Sequence, residues 1–384
     1  MANLKHLLSL EDFEAPARRF LPRPIFGFIS GGVETNATLR DNRAAFAEWG
    51  FVPRTLRDVS KRNASTTLFG QDWAAPFGIA PMGIAALAAY RADLVFARAA
   101  AGCRVPMVMS GSSLIRMEEV AAANPAAWFQ AYLPGETDKI LALVERVARA
   151  GYGTLVVTVD TVVKANRENN VRTGFRTPLR PGLRLAWDGI TRPRWLAGVA
   201  LRTLLRHGMP HFENSSTTRG APIVSSDVER DFGTRDHLHW EHIARIRERW
   251  QGRLVIKGIL HPEDAKIARD AGVDGIIVSN HGGRQLDGAV SPLRVLPEIV
   301  AAVGPDYPVL FDSGVRRGTD VLKALALGAK FVFVGRPFLY AAAIAGEPGA
   351  RHAIRLLTEE VVRDLGLLGL RSLAELSKAQ LIRV

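Results

Sequence analysis

Residues 309–336 read VLFDSGVRRGTDVLKALALGAKFVFVGR, and this stretch decides the fold. A short apolar run, Val309–Asp312, passes through a glycine- and arginine-bearing turn into the helical pattern RGTDVLKALALGA, which leads into a second apolar run, Phe331–Gly335. Short apolar runs without alternation read as strands buried on both faces, and a helix between two of them implies a parallel pair with a right-handed crossover. Working back along the chain, the same kind of run recurs at Phe77–Pro81, Pro106–Ser110, Trp128–Tyr132, Leu155–Asp160, Leu254–Gly258 and Gly275–Asn280, which brings the set to eight. Amphipathic stretches such as ETDKILALVERVARAG, HPEDAKIARDAG and SPLRVLPEIVAAVG lie between them, each ending near a glycine suited to a helix C-cap. Eight such units predict an α/β fold of the (β/α)8 TIM barrel type. The absence of a Gly-x-Gly-x-x-Gly turn after the first strand weighs against an open dinucleotide-binding sheet.

The pattern predicts one domain over 1–384, with the barrel at about 75–346. An N-terminal segment to about residue 74 precedes it, and helical extensions at roughly 348–366 and 371–380 follow. The stretch 161–236, after the fourth strand, is far longer than a usual strand-to-helix connection and reads as an inserted lid or binding loop. Trp73 to Tyr90 carries no charge over eighteen residues, the length of a candidate membrane span. Pro76, Gly78, Pro81 and Gly83 break any continuous helix there, so it reads as a buried strand and a tight loop.

The 384 residues are 47% hydrophobic and 23% charged, a composition that excludes disorder, collagen and coiled coil as the main organisation. Lys+Arg 50 against Asp+Glu 38 gives a net charge of +12, a field that attracts an acidic partner: nucleic acid, a phosphate-bearing cofactor, an anionic substrate or a lipid surface. The single cysteine, Cys103, excludes a disulfide framework and a thiolate zinc cluster; it reads as a small buried apolar residue, and no metal site is expected. Acidic Glu11, Asp12 and Glu14 follow a very short apolar stretch, which is wrong for a secretory signal, so a cytoplasmic protein is expected.

Barrel active sites form at the carboxyl ends of the strands. Those ends carry Pro81-Met82-Gly83, Ser110, Gln130 and Tyr132, Thr158 and Asp160, Lys257, His281 and Arg284, Asp312 to Arg316, and Gly335-Arg336. Polar groups at nearly every end imply a lined pocket rather than scattered helix caps. The Asp312–Gly318 turn and Gly335-Arg336 close the seventh and eighth strands, where barrels commonly bind phosphate: glycines admit close backbone approach and arginines supply forked donors. After the sixth strand comes SNHGGRQLDG, residues 279–288, with His281 three residues before Arg284. A histidine beside an anion-binding arginine, with Asp160 at another strand end to orient it, forms a base, an anchor and an orienter.

The run SNHGGRQLDG resembles the signature of the FMN-dependent 2-hydroxy acid oxidases and dehydrogenases, the family that includes glycolate oxidase, L-lactate dehydrogenase and mandelate dehydrogenase. The likeness spans nearly the whole chain, through SGGVETNATLRDNRAAF, FQAY, TVDT, VIKGI, DSGVRRGTDVLKALALGA, VGRP and LGLRSLAEL. It implies FMN as cofactor and oxidation of a lactate- or mandelate-like (S)-2-hydroxy acid to the 2-oxo acid. On the matching positions it makes His281 the base, held by Asp160, and gives the substrate carboxylate to Arg284 and Tyr132 with Arg167 assisting. Lys257 then lies at the pyrimidine edge of the flavin. Pro81, Met82, Gly83, Ser110, Gln130, Thr158 and Ser279 line its ring, Asp312 reaches the ribityl chain, and Ser313, Gly314, Val315, Arg316, Gly335 and Arg336 surround the phosphate. A tetramer is common among such relatives, and the electron acceptor is oxygen or a quinone of a membrane chain.

Three departures from the family pattern stand out. Phe28 falls where a carboxylate-binding tyrosine is usual, a loss of about 1.5–3 kcal/mol if that hydrogen bond was made. Ser112 replaces a bulky tryptophan of glycolate oxidase, which enlarges the pocket, and Gly83 resembles mandelate dehydrogenase and favours an acceptor other than oxygen. In the insertion, Arg176, Arg180, Arg184, Arg192, Arg194, Arg202 and Arg206 interleave with Trp187, Trp195 and several leucines against Asp188 alone. That basic amphipathic stretch, 176–212, suits peripheral contact with the inner face of an anionic membrane; a flap over the site or a subunit contact is the plainer reading. No nucleic-acid-binding module is present in the sequence. Two alternatives stay open: a barrel isomerase or lyase acting on a phosphate-bearing substrate, and a flavoprotein whose substrate is not a hydroxy acid because of Phe28.

Overall fold

All eight apolar runs are strands of one barrel in the computed structural model, which describes residues 4–176, 178–179, 182–215, 217–225 and 235–384. They are β1 (Phe77–Ile79), β2 (Val108–Ser110), β3 (Trp128–Ala131), β4 (Thr154–Thr158), β5 (Arg253–Ile259), β6 (Gly275–Val278), β7 (Val309–Asp312) and β8 (Phe331–Val334). From β2 through β8 each strand pairs in parallel with the next, β8 pairs with β1, and a bridge between Ile79 and Met107 joins β1 to β2. Helices α1 (Ala92–Cys103), α2 (Met117–Ala123), α3 (Thr137–Arg149), α4 (Trp240–Arg249), α5 (Pro262–Asp270), α6 (Pro292–Val303), α7 (Gly318–Ala326) and α8 (Arg336–Leu367), the last broken by a kink at Gly346, surround it.

Strand periodicity divides the core in two. Trp128, Val156, Val255, Ile277, Leu310, Phe331 and Phe333 fill the barrel interior, while their neighbours Phe129, Leu155, Ile256, Ile276, Phe311 and Val332 pack outward against the helices. A hairpin, Thr66–Leu68 with Gln71–Trp73, presents Leu68, Phe69 and Trp73 to the interior cluster. Phe69 lies 5.7 Å from the Trp128 ring and beneath Arg253, the first residue of β5, so the hairpin plugs the amino-terminal end. The uncharged stretch Trp73–Tyr90 supplies β1, the loop at the mouth and a 3-10 turn at Ala85–Leu87. Among the described residues no helix is long and apolar enough to cross a membrane.

The mouth is covered by two segments. Helix Arg23–Ser30 of the N-terminal segment packs so tightly on the insertion helix Glu168–Thr173 that a Cβ on Gly27 would lie 2.4 Å from Thr173. Its carbonyl end is closed from the barrel side: Arg284 Nη1 donates to Phe28 O at 2.7 Å and Gly31 O at 2.8 Å, and Arg336 Nε donates to Ile29 O at 2.8 Å. The insertion continues through helix Leu183–Ile190, a single turn at Pro193–Trp195, a π-helical turn at Leu196–Leu201 and helix Arg202–His207. Trp195 Nε1 donates to Leu87 O at 2.7 Å, and Arg202 stacks 3.9 Å above the Tyr90 ring, which anchors the insertion on the β1 loop. Arg180 lies outside the described residues.

Two expectations need correction. Residues 371–380 form two 3-10 turns, Leu373–Glu375 and Lys378–Gln380, rather than a helix, and lead to a strand, Leu381–Arg383, that pairs with Trp49–Phe51. Ser377 explains the break: its hydroxyl accepts from Ala379 N, and Gln380 Oε1 accepts from Ser377 N, local bonds that compete with a continuing helix. Cys103, at the last turn of α1, is half-buried rather than buried.

Asp93, in the first turn of α1, is 2% exposed and its Oδ2 has no partner. Burial pushes its carboxyl up from 3.8 to about 6, against a hydrogen bond from Ser113. The folded protein therefore holds this proton more tightly than the unfolded chain, so stability is undiminished below the unfolded value and falls as pH rises through about 6. Asp93→Asn is expected to raise unfolding stability at pH 7.5 by about 3 kcal/mol at most, with the gain vanishing near pH 4, as read from urea titrations at the two pH values.

Candidate active site

The carboxyl ends of the strands open into a cavity of about 1180 Å³. It gathers Phe28, Pro81, Met82, Gly83, Ser112, Tyr132, Thr158, Arg167, Lys257, His281, Arg284, Asp312, Ser313, Gly314, Val315, Arg316, Gly335 and Arg336 along one wall or another. Ser110, Gln130, Ser279 and Asp160 stand directly behind that lining: Ser110 Oγ donates to Gln130 Oε1 at 3.1 Å, Lys257 Nζ to Ser279 Oγ at 2.8 Å, and Asp160 meets His281. The sequence-predicted residues thus converge on one place.

His281 sits in the left-handed region at φ 58, followed by Gly282 and Gly283 with φ of 65 and 72. Strain of this kind on a non-glycine residue persists only when its surroundings hold it. Here His281 N donates to Ser279 Oγ at 3.0 Å, Gly282 N to Ser313 Oγ at 3.0 Å, and His281 Nδ1 pairs with Asp160 Oδ1 at 2.8 Å. Nε2 faces the cavity, 3.5 Å from the Tyr132 hydroxyl. Burial pulls the imidazole below its ordinary value despite Asp160. The Asp160 carboxyl, which burial alone would raise, is held below the usual range by His281 and Lys257. A neutral imidazole donating Nδ1–H to an ionised carboxylate is the state these directions describe.

Around this pair several residues act that the sequence reading did not single out. A Cβ on Gly258, at φ 110, would lie 2.7 Å from the Asp160 Cβ, so only glycine lets the carboxylate in so close. Gln285 Nε2 donates to Asp160 O at 3.0 Å, and Gln285 Oε1 accepts from Arg167 Nη2 at 2.7 Å. Arg235 lies 5.2 Å from the Tyr132 ring centroid and lines the cavity. Gln285 was within reach, inside the SNHGGRQLDG run; nothing in the sequence near Arg235 marks it. Phe28 carries no hydroxyl to the site. Its ring lies 4.8 Å from the Arg284 guanidinium and stacks on Phe175 at 4.4 Å.

The deeper part of the cavity is a slot for a flat polar ring. Gln130 Nε2 and Thr158 Oγ1 are buried without partners, which in a folded protein calls for a ligand to satisfy them. Gly83 leaves room, since a Cβ there would meet Ser112 Cβ at 3.0 Å. Lys257, 4% exposed, is held between Asp312 Oδ2 at 3.1 Å and Ser279; burial alone would lower its pKa, but the neighbouring carboxylates raise it. At the far end a Cβ on Gly314, at φ 87, would lie 2.3 Å from Asn42 O, so only glycine fits there, and burial lowers the pKa of both Arg316 and Arg336, the latter to about 10. Desolvated guanidiniums of this kind gain most from an anion. Orphaned donors beneath a slot, a fixed ammonium and a basic end fit FMN.

Fold and slot together define a flavin-dependent barrel oxidoreductase. Residues 17–383 match the family described as FMN-dependent dehydrogenase, and the chain belongs to that family. L-lactate dehydrogenase of Chromohalobacter salexigens is 40% identical over 375 residues, 97% of this chain and 94% of that protein. Among solved structures, the monotopic membrane protein (S)-mandelate dehydrogenase superposes with a TM-score of 0.92 at 34% identity, covering 99% of this chain and 100% of that one. Mandelate oxidase with 3,3-difluoro-2-hydroxy-3-phenylpropionic acid gives 0.80 at 36% identity, covering 98% and 99%. The protein is an FMN-dependent oxidoreductase acting on CH–OH groups.

Removing one partner of a buried ion pair leaves the other uncompensated. Lys257→Met is expected to cost about 3–5 kcal/mol in urea unfolding, and adding Asp312→Asn should recover much of that loss in the double variant.

Proposed function

We propose that the protein oxidises an (S)-2-hydroxy acid to the 2-oxo acid, with His281 as the base. The observation that carries this reading is the His281–Asp160 pair at 2.8 Å, with Nε2 directed into the cavity beside Tyr132. Donation of Nδ1–H to Asp160 fixes the tautomer, so Nε2 presents its lone pair and takes the proton that leaves the substrate. The imidazolium so formed is stabilised by the ionised Asp160. Arg284 and Tyr132 hold the substrate carboxylate, with Arg167 behind them, which leaves C2 between His281 and the slot. Bound FMN supplies a two-electron acceptor.

Pro81, Met82, Gly83, Ser110, Gln130, Thr158 and Ser279 hold the ring. Asp312 takes the ribityl chain, and Ser313, Gly314, Val315, Arg316, Gly335 and Arg336 take the phosphate. Lys257 provides a fixed positive charge at the pyrimidine edge. Purified protein is expected to be yellow and to bleach when mixed without air with lactate, mandelate or a longer 2-hydroxy acid. His281→Ala should retain the flavin absorbance and lose bleaching; persistent bleaching at the unaltered rate would remove His281 as the base.

We propose further that the insertion rests on an anionic membrane and that the acceptor belongs to that membrane. Leu183, Trp187 and Leu205 are 93%, 67% and 85% exposed on a segment that also carries Arg184, Arg194 and Arg206. Apolar side chains open to solvent beside arginines fit an interfacial helix. The wild-type protein should sediment with phosphatidylglycerol vesicles, and Trp187→Asp with Leu205→Asp should stay in the supernatant while flavin bleaching is unchanged.

A further inference from the structure

Three apolar clusters occur in the described structure, and the third lies outside the barrel, over its mouth. It joins Ile84 from the β1 loop to Phe175 and Phe212, which bracket the arginine-rich stretch of the insertion, and Phe28 of the N-terminal helix packs against it. All four side chains line the cavity. The cluster has a direction. Phe28 touches the Arg284 guanidinium on one side, 4.8 Å away, and stacks on Phe175 on the other at 4.4 Å. An apolar wall therefore begins beside the carboxylate anchor and runs outward under the insertion.

Beyond it, Val162, Val163 and Val171 also line the cavity, and they are 47%, 64% and 64% exposed. Branched apolar side chains left open in the lining of a binding cavity are surface that a ligand covers. Phe28 fits the same account: a ring without a hydroxyl adds nothing polar to the carboxylate anchor and extends the apolar wall. Ser112 and Gly83, both small, line the same cavity and add no bulk to it.

We infer that the substrate is a 2-hydroxy acid bearing a bulky apolar side chain of several carbons, which lies on the wall of Phe28, Phe175 and Phe212 and covers Val163 and Val171. This deepens the reading of the site as one that oxidises 2-hydroxy acids and rests on it. The wall, rather than the anchor, then separates substrates: burying each methylene is worth on the order of a four-fold gain in kcat/KM until the wall is covered.

The test is the second-order rate constant for anaerobic flavin reduction by (S)-lactate, (S)-2-hydroxybutyrate, (S)-2-hydroxyhexanoate, (S)-2-hydroxyoctanoate and (S)-malate. It should climb through the aliphatic series and leave octanoate at least 100-fold ahead of lactate, with malate no better than lactate. In Val163→Asn with Val171→Asn, both exposed positions at which the fold tolerates change, the octanoate constant should fall about ten-fold and the lactate constant should stay put. Phe175→Leu should flatten the same series. Equal rates for lactate and octanoate, malate outrunning octanoate, or a paired-valine variant that slows lactate and octanoate alike would each overturn the inference while leaving hydroxy acid oxidation standing. A flavin that no hydroxy acid bleaches overturns both.

Discussion

Two buried guanidiniums, those of Arg284 and Arg336, are held by the carbonyl end of one short helix, Arg23–Ser30, and the site is assembled on that contact. The carbonyl end of a helix carries partial negative charge, which suits cations, and it offers oxygens that no helical N–H will take. Arg284 follows β6 and Arg336 follows β8, so the helix ties two barrel strands to the N-terminal segment across more than 250 residues of sequence. The same contact closes one side of the cavity. Asp287 reinforces it from the β6 loop, accepting from Thr35 N and Thr38 N at 2.9 Å each. His281 lies in that loop, and its strained backbone is therefore buttressed from both sides.

Charge then sorts the cavity into parts. Asp160 is ionised and His281 neutral, while Lys257 is balanced by Asp312 below the slot. Arg316 lies near Arg336, and Arg167 lies near Arg284 and the histidine. A net charge of +12, uninformative by itself, resolves into a pocket lined by these arginines and Lys257 and an arginine-rich insertion outside it. Phe175 and Phe212 of the insertion join the apolar lining, which gives that segment a part in shaping the pocket as well as the surface.

Much of this was legible in the sequence because buried parallel strands are short and uninterrupted, and polar residues begin where they stop. The predicted runs extend one or two residues past the observed ends at Pro81, Tyr132, Asp160 and Gly335, since Pro81, Tyr132 and Gly335 have left the ladder to face the cavity and Asp160 to meet His281 behind it. Legibility failed where tertiary contact overrides local pattern. Gly258 looks like any strand glycine until Asp160 is brought against it, and Arg235 follows an insertion whose path has no periodicity to extrapolate. Residues 371–380 carry a plausible helical pattern, yet Ser377 makes local bonds and the chain is drawn into pairing with Trp49–Phe51, distant in sequence. The insertion's basic character was plain, but not that Trp195 turns inward to Leu87 while Trp187 stays out.

The hairpin plug of Leu68, Phe69 and Trp73 makes the barrel a well with a floor. Among the described residues that end is stoppered, so the cavity is reached from the carboxyl ends of the strands, where the insertion lies. A plug at the end of the barrel farthest from the chemistry thus sets the side on which acid and oxo acid are exchanged.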